Sequence, residues 1–83
     1  MTRDEAVKGV AAVLASLSEA QANQIDPTDK IKTFVPPQNV MALALAVDKA
    51  FPKVDLTDLM NDLYDPISTV GQLVDRVMEA YNP

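Results

Sequence analysis

Asp55, Asp58, Asp62 and Asp65 recur at spacings of three and four, which places them on one face of a helix. Carboxylates in such a row can do three kinds of chemistry. A convergent pair can divide general acid and base roles, given a pocket that separates their pKa values; nothing in the sequence indicates one. Carboxylates can also hold calcium, but this spacing lacks the alternating oxygen ligands and central glycine of a calcium loop. Finally, an acidic stripe can steer and dock a basic partner. No lysine or arginine lies between Lys53 and Arg76, so the stripe is uninterrupted. The competing reading is a solvated face whose first member, Asp55, caps a helix.

Other reactive groups are few. The chain has no histidine and no cysteine. This removes Ser-His and Cys-His nucleophiles, thiolate metal sites and any disulfide framework. No metal site and no catalytic residue is expected, and the chain reads as a non-enzyme. Seven Lys plus Arg stand against 12 Asp plus Glu, a net charge of −5. Such a chain repels phosphate backbones, so nucleic acid is not an expected partner.

The elements that must position these residues are helical. There are two glycines and only short β-branched runs. Eighty-three residues form one domain, 1–83. Thr2 and Glu5 read as a capping box ahead of the stripe Val7, Val10, Ala11, Leu14, Leu17. This helix should fade near Ser18 to Ala22. A polar loop, Asn23 to Thr33, follows, with Ile25, Ile31 and Phe34 as apolar pins. Pro37 suits a first helical position, and the second helix should run to about Ala50, stopped by Pro52. Asp55 caps a short third helix with the stripe Leu56, Leu59, Met60, Leu63, ended by Pro66. Ser68 or Thr69 caps a fourth, with Val70, Leu73, Val74, Val77, Met78 and Tyr81 on one side.

The second helix is unusual. "VMALALAV", Val40 to Val47, is eight apolar residues in a row. Val40, Leu43, Ala44 and Val47 make the expected core face. Met41 and Leu45 point elsewhere. Either they join a protein interface, or the long loop folds over them through Ile25 or Ile31. Met41, Met60 and Met78 lie on helical stripes, where core filling is expected; the alternative is a pocket that opens for an apolar chain.

Three segments resemble acyl carrier proteins: "KTFV", "VMALALAVDKAF" and "ISTVGQLVDRV". The last is similar to the start of that family's fourth helix. Together they cover about half the chain. The resemblance implies an all-α four-helix bundle of acyl-carrier-protein type, with a long first loop and a short third helix. It also implies a phosphopantetheine arm on a serine before the second helix, in an Asp-Ser-Leu motif. Here that place reads "VPPQNV". Thr57 is the only hydroxyl residue between Phe34 and Ser68 other than tyrosine, and it belongs to the third helix; the serines are Ser16, Ser18 and Ser68. Pro36 and Pro37 occupy the remnant of a shortened loop, and phosphopantetheine is not expected.

The resulting expectation is a carrier-like interaction module without an arm, scaffolding or regulatory, linked to fatty-acid or polyketide type biosynthesis. Its partner-binding residues would be Met41, Leu45 and Asp48 on the second helix, with Asp58 and Asp62 on the third. The partner would be a biosynthetic enzyme or a second copy of the chain. The alternatives are a divergent carrier of acyl groups, modified at Ser68 or Thr33, and a non-covalent binder of an apolar ligand. The start, "MTRDEAVKG", carries acids and lacks the apolar core of a secretory signal. No run approaches the ~20 apolar residues of a membrane span. A cytoplasmic location is expected on those grounds.

Overall fold

A computed structural model describes all 83 residues. Four α-helices carry the fold: α1 (Arg3–Ser16), α2 (Val40–Ala50), α3 (Leu56–Asp62) and α4 (Val70–Tyr81). The long α1–α2 connection contains three 3-10 turns, Ala22–Gln24, Ile31–Thr33 and Pro37–Asn39. No strand forms; two isolated bridges join Lys30 to Thr69 and Leu63 to Ile67. The radius of gyration is 11.1 Å, close to the ~12 Å expected for a packed chain of this length.

Local chemistry explains where the helices begin. The Thr2 hydroxyl accepts from the Glu5 amide, and the Glu5 carboxylate accepts from the Thr2 amide at 2.9 Å. Thr69 and Gln72 make the same reciprocal box at α4. Thr69, not Ser68, is therefore the cap. Asp55 caps α3 by accepting from the Asp58 amide at 3.0 Å. At α2 the expectation needs adjustment. Pro37 opens a 3-10 turn, and the α-helix starts three residues later at Val40. Pro36 is extended at φ −67°, ψ 154°, as a residue before proline should be.

The core is entirely apolar, with no buried polar or charged residue. α1 packs on α4 and α2, and α2 also packs on α3. The expected stripes are core with specific exceptions. Val7, Val40, Leu56, Met60, Met78 and Tyr81 are only half-buried against the core, and Leu17 lies past the end of α1 and is exposed. Ala6 and Val13 take further core positions. Phe51 joins three helices: its ring meets the Tyr81 ring edge-on at 6.2 Å and lies over Gly9 of α1.

The long loop is held by α4. The first helical amides of any helix lack intrahelical partners. Here the Val70 amide donates to the Asp29 carbonyl at 2.9 Å and the Gly71 amide to the Pro27 carbonyl at 2.8 Å. In return the Ile31 amide donates to the Ser68 carbonyl at 2.9 Å. Loop and helix start thus complete each other, and Ile25, Ile31 and Val35 are buried in the core. Gly71 eases this approach, because a Cβ there would sit 3.0 Å from the Pro27 oxygen and push the loop back by a few tenths of an ångström.

Candidate interaction surface

α2 presents two faces. Leu43, Ala44 and Val47 are buried, while Met41 and Leu45, one helical turn apart, are 61% and 50% exposed. The loop residues that were candidates to cover them are core elements themselves. Covering by the loop is thus excluded. Met41 also leaves the set of core-filling methionines, whereas Met60 and Met78 pack half-buried against the core. Asp48 is half-buried on the same helix, and Ala42, Lys49 and Ala50 are exposed around it. Small alanines beside two long apolar side chains leave a surface that another helix can approach. Burying what Met41 and Leu45 still expose contributes on the order of 1–2 kcal/mol each.

The four aspartates separate into different roles. α3 ends at Asp62, so Asp65 lies outside the helix and off its face. Asp55 is the cap. The Asp62 carboxylate accepts from the Arg76 guanidinium at 2.7 Å, with both side chains about two-thirds or more covered. Asp62 is therefore engaged in an ion pair inside the chain. Arg76 lies outside the acid-only interval in sequence, and only folding brings α4 against α3. Asp58 remains exposed. It opens on a cleft of about 260 Å³ with Lys53, Arg76 and Glu79, to which no α2 residue contributes. The structure therefore places Met41 and Leu45 one turn apart on α2 and Asp58 at a cleft that no α2 residue lines.

A second cleft, of about 240 Å³, lies beside the Pro-Pro segment. Lys30, Lys32, Pro37, Tyr64 and Ser68 line it. Tyr64 adopts φ 75°, rare for a residue with a side chain. Its hydroxyl is anchored on the Val35 and Pro36 carbonyls, and burial pushes its pKa above the ordinary tyrosine value. Elsewhere, the Thr2 amide and hydroxyl hold the Glu5 carboxyl below its usual range. The Thr28 amide and hydroxyl do the same for Asp26. No group of three or more acidic side chains converges as a metal site, and no helix is long and apolar enough to cross a membrane. Sequence spacing gave no sign of Tyr64 or of the cleft, because their parts come from three separate segments.

Comparison with protein-family models, with curated proteins and with solved structures finds no match for this chain.

Proposed function

We propose that the chain is an acyl-carrier-protein-like bundle without an attachment serine, acting as a non-catalytic interaction module. Its docking face is the exposed side of α2, centred on Met41 and Leu45. The observation that carries this reading is their exposure one turn apart on a helix whose first eight residues are all apolar. Further support comes from the helix order, long-medium-short-medium, and from the long loop pinned onto α4. Pro36 and Pro37 stand where a carrier would hold its serine, and neither has a hydroxyl. The partner is another protein, a biosynthetic enzyme or a second copy of this chain, in the cytoplasm.

A rival reading has one specific observation in its favour. Ser68 is distant from Pro37 in sequence but lines the same cleft. A divergent carrier could hold its arm there. Intact mass before and after incubation with a phosphopantetheinyl transferase and coenzyme A separates the two readings. No covalent gain is expected; a gain equal to the arm, mapped to Ser68 or Thr33, overturns the armless reading.

The docking face is tested by the double variant Met41→Glu and Leu45→Glu. Helical circular dichroism should be unchanged, because both side chains are exposed. Sedimentation should lose any concentration-dependent dimer, and cross-linking to a carrier-dependent biosynthetic enzyme should disappear. Identical association by both variant and parent would sink the proposal.

A further inference from the structure

We propose that the cleft between the first loop and the α3–α4 connection binds a small phosphomonoester, with Lys30 and Lys32 as its charged contacts. Two of the chain's seven cations line this one cleft, and no carboxylate does. Of the other three clefts, the one at Lys8 also lacks a carboxylate but has a single lysine and a mostly apolar lining, and the other two contain acids. The cleft at Lys53 contains Asp55, Asp58 and Glu79, and the cleft at Pro66 contains Asp75 and Glu79. Like the chain's other three lysines, neither Lys30 nor Lys32 forms an ion pair within the chain; what sets them apart is that they share one cleft. Both ammonium groups are thus free to meet an incoming anion. Two positive charges flanking one cleft suit a dianion better than a monovalent carboxylate, and lysine meets phosphate as a point charge.

The walls are fixed before any ligand arrives. The Ile31 amide donates to the Ser68 carbonyl, and Lys30 bridges Thr69, so the lysine-bearing segment cannot swing away from Ser68. Tyr64 is tied to the Val35 and Pro36 carbonyls beside Pro37. Preorganisation of this kind lowers the ordering cost of binding.

The Ser68 hydroxyl is a surplus donor. It points to Gln72 Oε1 at 3.0 Å, but that oxygen also accepts from the Ser68 and Thr69 amides at 2.9 Å each. Two lone pairs are filled by the two amides. The hydroxyl can turn to a phosphate oxygen while Gln72 stays satisfied. At about 240 Å³ the cleft is smaller than the ~300–1,000 Å³ of pockets for drug-sized ligands. It fits a phosphate head with a short substituent.

The test is amide NMR titration of the full chain with phenyl phosphate and with inorganic phosphate, against sodium chloride at matched ionic strength. The expected result is a saturable shift confined to Lys30–Thr33, Tyr64 and Ser68, produced by phosphate and not by chloride. The double variant Lys30→Ala and Lys32→Ala should keep its spectrum dispersed and bind at least about tenfold more weakly. Ser68→Ala should weaken binding by a smaller factor. Shifts that do not saturate, that chloride reproduces, that involve Lys8, Lys49 and Lys53 equally, or that survive the double variant overturn the assignment.

Discussion

The Tyr64 hydroxyl lies 2.8 Å from the carbonyl oxygen of Val35, joining residues 29 apart in sequence. One phenol therefore ties the start of the Pro-Pro segment to the connection between α3 and α4. Tyr64→Phe keeps the ring and removes the proton, leaving a part-buried carbonyl short of a donor. The expected cost is about 1–2 kcal/mol, read as a lower urea midpoint with unchanged helical circular dichroism. An unchanged midpoint would mean that water replaces the hydroxyl without loss.

The same group sets an alkaline limit. Burial raises the folded pKa of Tyr64 above its unfolded value. Its contribution to stability is thus complete below the ordinary tyrosine pKa and is lost as pH rises through the raised folded value. Following tyrosinate absorbance with pH should show a late-ionising component that Tyr64→Phe removes, and the variant's stability should decline less steeply in alkali.

Gly9 and Phe51 are in tighter contact than any larger residue at position 9 allows. A Cβ on Gly9 would lie 2.4 Å from Phe51 Cζ. Alanine in a helix interior normally stabilises by about 1 kcal/mol relative to glycine. Overpacking costs ~1–3 kcal/mol, and the aromatic ring is hemmed in by Tyr81, so the net sign for Gly9→Ala is destabilising. Adding Phe51→Leu to Gly9→Ala should recover part of the loss in a double-mutant cycle. Purely additive losses would show that the ring moves aside freely.

Asp62 and Asp58 should part company on substitution. Asp62→Asn weakens a half-buried pair with Arg76 at 2.7 Å, and partial solvation limits the cost to about 1 kcal/mol. Asp58→Asn removes an exposed charge in the first turn of α3, and the loss of its favourable interaction with the helix dipole is toward the low end of about 0.3–1 kcal/mol, since salt screens so exposed a group. Thermal melts of the two single variants would check the order, and equal shifts would refute the different roles.

The cap of α1 supplies an acid-side prediction. Hydrogen bonds from Thr2 lower the folded pKa of Glu5. A lowered carboxyl contributes above the unfolded pKa and loses that contribution as pH falls through the folded value. Protonation therefore loosens the first turn of α1 only in acid below the ordinary carboxylate pKa. The Ala6 and Val7 amides should exchange faster there, and Glu5→Gln should flatten the response.

Periodicity carried the helices because a period of 3.6 is written into each stripe. Val70, Leu73, Val74 and Val77 are core as their spacing predicts, and Thr2 with Glu5 cap as their types predict. Met41 and Leu45 were legible as off the core face; whether anything covered them depended on where Ile25 and Ile31 went, which is a tertiary question. Asp62 read as a member of an acid stripe because its partner Arg76 is 14 positions away, on the next helix. Leu17 obeyed the helical spacing, but the helix ends first, where the Ser16 hydroxyl bonds the Val13 carbonyl and the Ser18 hydroxyl the Leu14 carbonyl. Short polar side chains that compete for backbone groups set that end. The cleft at Lys30 and Lys32 was invisible because its walls are assembled by backbone hydrogen bonds between segments that do not adjoin.

The exchange of amides and carbonyls between the first loop and the start of α4 makes these two segments one unit of opening. The amides of Ile31, Val70 and Gly71 have partners across the chain, so deuterium reaches them only when the loop lifts from the helix as a whole. The stretch from Leu17 to Gln24 has only short-range backbone bonds and mostly exposed side chains, Ser18 and Ala20 being half-buried, and opens locally. A protease should therefore nick the connection before Ile25 and spare the residues after it, so that the cleaved chain stays assembled through α4.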